Sequence, residues 1–350
     1  MKNVLHIFGV LALALCAVVF SGCGGEKTAK RELKVYNAGD YIDPDLIKVF
    51  EKETGIRIIY DTWATNEDMY VKIKAGGSDY DLVIPSDYMI ERMRREGMLE
   101  KIDFTKVPNY ALVDEKFKNL YYDPQNEYSV PYMWGTVGII YNRKMVEDPV
   151  DSGGILWNPK YAKQIFVMDS IRDSIGMALK YRGYSLNASD DAALTAARDA
   201  LIAQKPLVQA YVVDEVKDKM IAGEGALAVV WSGDAVFMME KNPDLAYALP
   251  KEGTNVWIDA MVILKGGKHK AEAEEFINFM TRPDIAKKNV EYIGYASPIP
   301  EVVRQLPAEV QADTASYPSA DLLKNAEYFH DVGDNLSKYD KVWTEVKVAK

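Results

Sequence analysis

Between residues 32 and 97 the chain alternates short β-type runs with longer amphipathic ones, and this order constrains the fold more than any other feature. Glu32-Leu-Lys-Val-Tyr36 reads as a strand, and Asp43 to Thr54 as a helix with Pro44 in its first turn and Gly55 at its stop. Arg57 to Asp61 is a second strand and Asn66 to Ala75 a second helix; the strand Tyr80 to Ile84 and a helix capped near Ser86 and ending at Gly97 follow. Strands joined by helices run parallel, so the pattern predicts an α/β fold of parallel-rich sheets flanked by helices. In such sheets ligands sit at the carboxyl ends of the strands. Those ends are Asn37 to Tyr41 and Pro85 to Tyr88, and both place aromatic residues in loops.

Further on, Ser129 to Asn142 is a long apolar run broken by glycines, which suits a strand crossing between two lobes, and Val256 to Leu264 is a second candidate crossing. Between them, Ile165 to Asp169, Asp173 to Arg182, Asp190 to Ala203 and Ala226 to Trp231 supply strands and helices for a second lobe, while Ala271 to Met280 reads as a helix of the first. About 320 residues is long for one hydrophobic core and natural for two. The expected division is residues 32–135 with 260–300 as lobe 1, and 136–259 with 301–350 as lobe 2. No period of solenoid length recurs.

The amino terminus points to export. Lys2 is the sole charge before an apolar run, Val4 to Phe20, that is short for a membrane span, so residues 1–22 read as a signal peptide. The run ends in Phe20-Ser-Gly-Cys23, which resembles the bacterial lipobox with Phe in place of the usual Leu. That resemblance implies lipidation of Cys23 and a polar tether over 23–31, hence an extracytoplasmic protein anchored to the cell membrane, periplasmic if the source has an outer membrane. The bland alternative is ordinary secretory cleavage with a spare thiol. Cys16 leaves with the leader, so no internal disulfide, cysteine metal site or cysteine nucleophile remains in the mature chain. Loss of Lys2 takes the net charge from -10 to -11. An acidic surface disfavours nucleic acid as a partner and concentrates cations.

Catalysis has no evident seat. After the leader only His269 and His330 remain, and the chain has no Gly-rich phosphate loop, no His-x-x-x-His pair and no Gly-x-Ser-x-Gly elbow. No cofactor, metal or catalytic set is expected. The informative residues are aromatics beside acids at strand ends: Asp40-Tyr41, Asp87-Tyr88, Trp231 with Asp234, and Trp257 with Asp259. An alkyl diammonium needs apolar faces for its methylenes, ring faces that attract cations, and carboxylates for its nitrogens. Taken singly, a Trp at a strand end is more often packing, and an Asp there more often a cap or turn former. Paired carboxylates with loop aromatics would also suit a sugar-active enzyme. A purely adhesive or scaffolding lipoprotein would leave the four pairs unexplained.

Taken together, these segments resemble the spermidine/putrescine-binding proteins, two-lobed periplasmic binding proteins of type II with two interlobe crossings. The likeness spans the mature domain and rests on Val35-Tyr-Asn37 with Asp40-Tyr41, Phe50-Glu-Lys-Glu-Thr-Gly-Ile56, Tyr80-Asp-Leu-Val-Ile-Pro-Ser86-Asp-Tyr88 and Val130-Pro-Tyr-Met-Trp-Gly135. Trp257-Ile-Asp259, Asn278-Phe with Arg282-Pro-Asp, Ile293-Gly-Tyr295 and Asp331-Val-Gly333 complete it. The resemblance implies that Tyr41, Tyr88, Trp231, Trp257 and Tyr295 wall a polyamine, that Ser86 contacts it, and that Asp173 and Asp259 pair with its amines. Asp234 stands where putrescine receptors carry an acid. Three positions depart from the family: Ala38 for a Trp, Ser170 for an acid and Phe329 for a glutamine. The implied function is delivery of putrescine or spermidine to an ABC permease complex by a monomer with a hinged cleft. The nearest rival is a receptor of the same fold for another small cationic or amine ligand. An amino-acid receptor would want an Arg fork, and Arg172, the one basic residue close to the expected site, reads as a structural ion-pair partner.

Overall fold

The computed structural model describes residues 31–76 and 79–349. The expected signal peptide and Cys23 lie outside the described residues. The first part of the chain folds in the anticipated order: β1 (Glu32–Ala38), α1 (Pro44–Thr54), β2 (Arg57–Trp63), α2 (Asn66–Lys74), β3 (Leu82–Val83), α3 (Asp87–Arg95) and β4 (Leu99–Glu100). The local reasons are visible. The Asp43 side chain accepts from the Asp45 amide to cap α1, and Gly55 ends it at φ 71°, a left-handed turn that glycine makes without a Cβ clash. Thr65 caps α2 in the same way by accepting from the Asp68 amide.

The third strand is shorter than expected. Of Tyr80 to Ile84 only Leu82 and Val83 pair in the ladder. Asp81 takes the preceding place with its side chain, accepting from the backbone amides of Lys34, Lys268 and His269.

The long strand β5 (Ser129–Asn142) is buried at every residue except Tyr141. It is followed by β6 (Ile165–Met168), α4 (Ile171–Tyr181), α5 (Asp191–Gln204), β7 (Val208–Val212), α6 (Val216–Ile221), β8 (Leu227–Trp231), α7 (Ser232–Lys241), β9 (Leu245–Ala248) and β10 (Val256–Leu264). The helices α8 (Lys270–Met280), α9 (Pro283–Ile293), α10 (Pro300–Gln305), α11 (Ala308–Ala312) and α12 (Leu336–Val348) close the chain.

The strands run in the order β2-β1-β3-β10-β5-β8-β6-β7, with β4 beside β10 and β9 beside β5. The expected parallel character holds within two groups: β1 is parallel to β2 and β3, and β6 to β7 and β8. The whole is mixed, because β10 and β5 run antiparallel to their neighbours where the groups meet. Residues Ser129 to Thr136 of β5 pair with β10, and Val137 to Tyr141 pair with β8. The backbone therefore changes ladder between Thr136 and Val137. Helices cover both groups: Phe50 of α1 meets Phe276 and Phe279 of α8 edge-on, while α12 buries Tyr339, Trp343 and Val346 with Ile175 of α4 and Leu194 of α5. Burying side chains of this size contributes roughly 1.5–3 kcal/mol each. Between α11 and α12 the chain returns to the first group, where the Tyr317 ring packs edge-on against Trp134.

Two glycines are required by close approach. A Cβ on Gly135 of β5 would stand 2.5 Å from both Ser232 Oγ and Trp257 Cζ2. Gly253 has φ 101°, and a Cβ there would meet the Asn325 carbonyl oxygen at 1.8 Å.

Candidate ligand-binding cleft

The carboxyl ends of the parallel strands from both groups open onto one cleft of about 830 Å³, its solvent-filled mouth included. Asp40 and Tyr41 enter after β1, Ser86 and Tyr88 after β3, Asp173 after β6, Trp231 and Asp234 at the end of β8, Trp257 and Asp259 from β10, and Tyr295 after α9. All ten residues singled out in the sequence line this space. Trp63, Asn66 and Glu67 after β2, Asp214 after β7, and Asn255 line it too.

At the centre is Asp259, buried on β10 beside a register irregularity between Asp259 and Ala260. Its Oδ2 accepts from the Tyr41 hydroxyl at 2.7 Å, while Oδ1 has no hydrogen-bond partner among the described residues. Burial raises its pKa to about 6, while the nearby hydroxyl of Ser86 and the hydrogen bond from Tyr41 favour the charge. Ser86 does not cap α3 with its side chain; its Oγ accepts from Asn66 Nδ2 at 3.0 Å, and its backbone bridges Asp259. Tyr41 is fixed from behind, since the Asn37 amide and the Tyr132 hydroxyl both donate to its carbonyl. Its ring meets Tyr132 and Tyr295 edge-on at 5.3 Å each, and Tyr295 meets Trp257 at 5.3 Å, so the aromatic wall is continuous.

From the other group comes Asp173, in the first turn of α4. The Ser170 hydroxyl donates to its Oδ2 at 2.7 Å; burial raises its pKa, and Ser170 and Arg172 oppose the shift. The acid absent at 170 is thus replaced by a neutral donor to the acid that is present. Asp234, in the first turn of α7, is raised to about 6 by burial, with Lys217 lowering it and Asp214 raising it. Asp40 sits at the mouth in a left-handed conformation (φ 51°), its carboxylate 2.9 Å from Lys217 Nζ.

A scan against family models matches residues 45–318 to the bacterial extracellular solute-binding proteins. The chain belongs to that family. Among the relatives of this solute-binding protein, the spermidine/putrescine-binding periplasmic protein of Escherichia coli is 38% identical over 91% of this chain and 92% of its own. A solved Listeria monocytogenes structure with the provisional description spermidine/putrescine ABC transporter is 44% identical, superposes with a TM-score of 0.89, and is covered at 91% of this chain and 100% of its own. The substrate-binding protein PotD of the Streptococcus pneumoniae spermidine/putrescine ABC transporter is 40% identical, with a TM-score of 0.78 over 91% and 99%.

Other sequence readings of this solute-binding protein need correction. Asp87, paired with Tyr88 in the sequence, turns away from the cleft: its buried carboxylate accepts from the amides of Tyr88 and Ile258 and ties α3 to β10. The acid beside Tyr88 is instead Glu67, which accepts from the Tyr88 hydroxyl at 2.9 Å and whose pKa burial raises. Arg172 forms no ion pair among the described residues. It donates to the His330 carbonyl and to Asn187, and lies 4.4 Å from the Phe329 ring centre and 5.1 Å from that of Tyr88. Trp63, the direct neighbour of Ala38 across the β1–β2 ladder, also lines the cleft. Trp63 was detectable as an aromatic at a strand end, followed by the polar Thr65-Asn-Glu67. Asn255 Oδ1, Trp257 Nε1 and Asp259 Oδ1 are three buried polar atoms without partners among the described residues, spaced two residues apart along one face of the backbone leading into β10. Among the described residues, no group of three or more His, Cys, Asp or Glu could hold a metal ion.

Proposed function

We propose that this protein is a polyamine receptor of the putrescine and spermidine class, acting as a binding protein without catalysis and delivering its ligand to an ABC importer. The observation that carries this reading is Asp259, which lines a cleft walled by Tyr41, Trp257 and Tyr295 and whose buried Oδ1 has no hydrogen-bond partner among the described residues. A buried unpaired carboxylate is costly. An ammonium removes that cost, and the adjoining ring faces hold the methylene chain and attract the cation without a full desolvation penalty. Asp173 and Asp234, raised in pKa by the same burial, extend the set of acids across the cleft. The similar Escherichia coli and Streptococcus pneumoniae proteins are a spermidine/putrescine-binding protein and the substrate-binding protein of a spermidine/putrescine transporter, which supports the same ligand class.

In mechanism the cleft is a hinged clamp. Two lobes, built on the β1-β2-β3 and β6-β7-β8 groups, close on the ligand, and the change of ladder in β5 after Thr136 supports that strand as a crossing. Closure excludes water and strengthens each charged contact. The chain acts outside the cytoplasm as a monomer, held to the membrane by a lipid on Cys23.

Calorimetric titration of the protein, refolded to strip carried ligand, against putrescine, spermidine, spermine and cadaverine tests the reading. A micromolar dissociation constant, about 8 kcal/mol, for at least one of them is expected, together with its loss in Asp259→Ala. Silence toward all four from folded protein would sink the polyamine class and leave a receptor for another cationic ligand.

A further inference from the structure

Behind the mouth of the cleft one lysine faces three of the acids that line it. Lys217 Nζ on α6 stands 2.9 Å from Asp40 Oδ2, 3.5 Å from Asp214 Oδ1 and 3.9 Å from Asp234 Oδ1. The lysine side chain is 13% exposed and Asp234 12%, so that pair is shielded from solvent, while Asp40 and Asp214 are reached from the solvent side. The acids come from three connections: Asp40 follows β1, Asp214 precedes α6 and Asp234 begins α7. Asp40 reaches the lysine from the opposite strand group and holds a left-handed backbone (φ 51°) to do so. The approach is close, because a Cβ on Gly39 would stand 3.0 Å from Asp214 Oδ2. A four-methylene stem ending in an ammonium among carboxylates has the chemistry of one end of an alkyl amine.

We propose that Lys217 is a resident counter-ion of the cleft and determines how many ligand ammoniums the protein accepts, a specificity role that rests on the polyamine reading. Six carboxylates line the cleft, and the single positive charge of Lys217 is shared among Asp40, Asp214 and Asp234. Glu67 is engaged by Tyr88. Asp259 and Asp173, like Glu67, are held by neutral hydroxyls rather than by a cation, and these are the acids open to the ammoniums of a diamine. A third or fourth ammonium on a longer amine meets the like charge of Lys217 at the mouth, and like-charge juxtaposition is how sites reject near-cognate partners. Neutralising the lysine releases Asp40 and Asp234 to a longer ligand.

The test is titration of the full chain and of Lys217→Met, Lys217→Gln and Lys217→Arg with putrescine, spermidine and spermine, with thermal unfolding of each variant. The Met and Gln variants are expected to raise the spermine-to-putrescine affinity ratio about tenfold. Arg, which keeps the charge, holds the wild-type ratio. Two neutral variants keep the ratio measurable if one fails to fold. An unchanged ratio, or an equal loss for all three amines while wild type binds normally, would overturn the proposal and make Lys217 a structural latch. Failure of folded wild type to bind any of the three overturns the polyamine reading, and this proposal with it.

Discussion

Burial raises Asp259 and Asp234 from the usual 3.8 to about 6, and the sign of the pH dependence follows from that direction. Between roughly pH 4 and 6 the folded ligand-free protein binds protons at these sites that the unfolded chain has released, so their effect on stability worsens as pH rises through the window. A cationic ligand needs the ionised forms. Its affinity therefore falls as pH drops from 7 to 5, by about tenfold for each of the two carboxylates that contacts it, with proton release on binding near pH 6; calorimetry in buffers of different ionisation enthalpy reads both. The exchange Asp259→Asn separates function from stability: the side-chain oxygen still accepts from Tyr41, while the uncompensated charge is gone. Ligand affinity falls by two orders of magnitude or more, the scale of removing one partner of a buried charge pair, about 2–5 kcal/mol. The melting temperature of the ligand-free variant rises at pH 7.5 by about 2–4 °C per kcal/mol recovered, so a fall in that temperature would show that the charge is already compensated. Asp259 was legible in the sequence as one of four aromatic-acid pairs at strand ends and as part of Trp257-Ile-Asp259, one of the segments that carry the family resemblance. Glu67 was not, since nothing in Asn66-Glu-Asp distinguishes a buried acid from the exposed first turn of a helix.

At the level of elements, the cleft depends on how closely β5, β10 and α7 approach. Gly135→Ala drives a methyl group into Ser232 Oγ and the Trp257 ring, each 2.5 Å from its position. Overpacking of this kind costs about 1–3 kcal/mol. It displaces a wall of the cleft, so both melting temperature and ligand affinity fall; unchanged affinity in Gly135→Ala would mean that Trp257 does not contact the ligand. Gly253→Ala is the more severe change, with a left-handed backbone and a carbonyl at 1.8 Å, and it lowers stability without touching the wall. Element identity was readable where local chemistry decides it, as in α1, where Asp43, Pro44 and Gly55 mark both ends. It was less readable in the third strand. There Asp81 spends its side chain on backbone amides that a ladder would otherwise serve, a choice set by β10 and by residues 268–269 arriving from far along the chain.

For the molecule as a whole, closure by two lobes predicts that saturating ligand stabilises the fold and compacts it. Stabilisation of about 2.7 kcal/mol at a ligand concentration one hundred times the dissociation constant is expected from mass action, read as a rise in melting temperature, and a smaller radius of gyration in X-ray scattering reports the closure. Stabilisation with no change in radius would identify a cleft that binds without closing. Composition and strand-helix order determined by themselves that this is an α/β chain with aromatic-acid pairs at strand ends, because those features arise from neighbours in sequence. Which acids share the cleft, which rings complete its wall, and which charge is already balanced were decided only by the tertiary structure. Trp63 comes beside Ala38 at the cleft across a ladder, and Lys217 reaches Asp40 from 177 residues away. Burial and charge pairing depend on distance in space, and only the assembled sheet determines that distance.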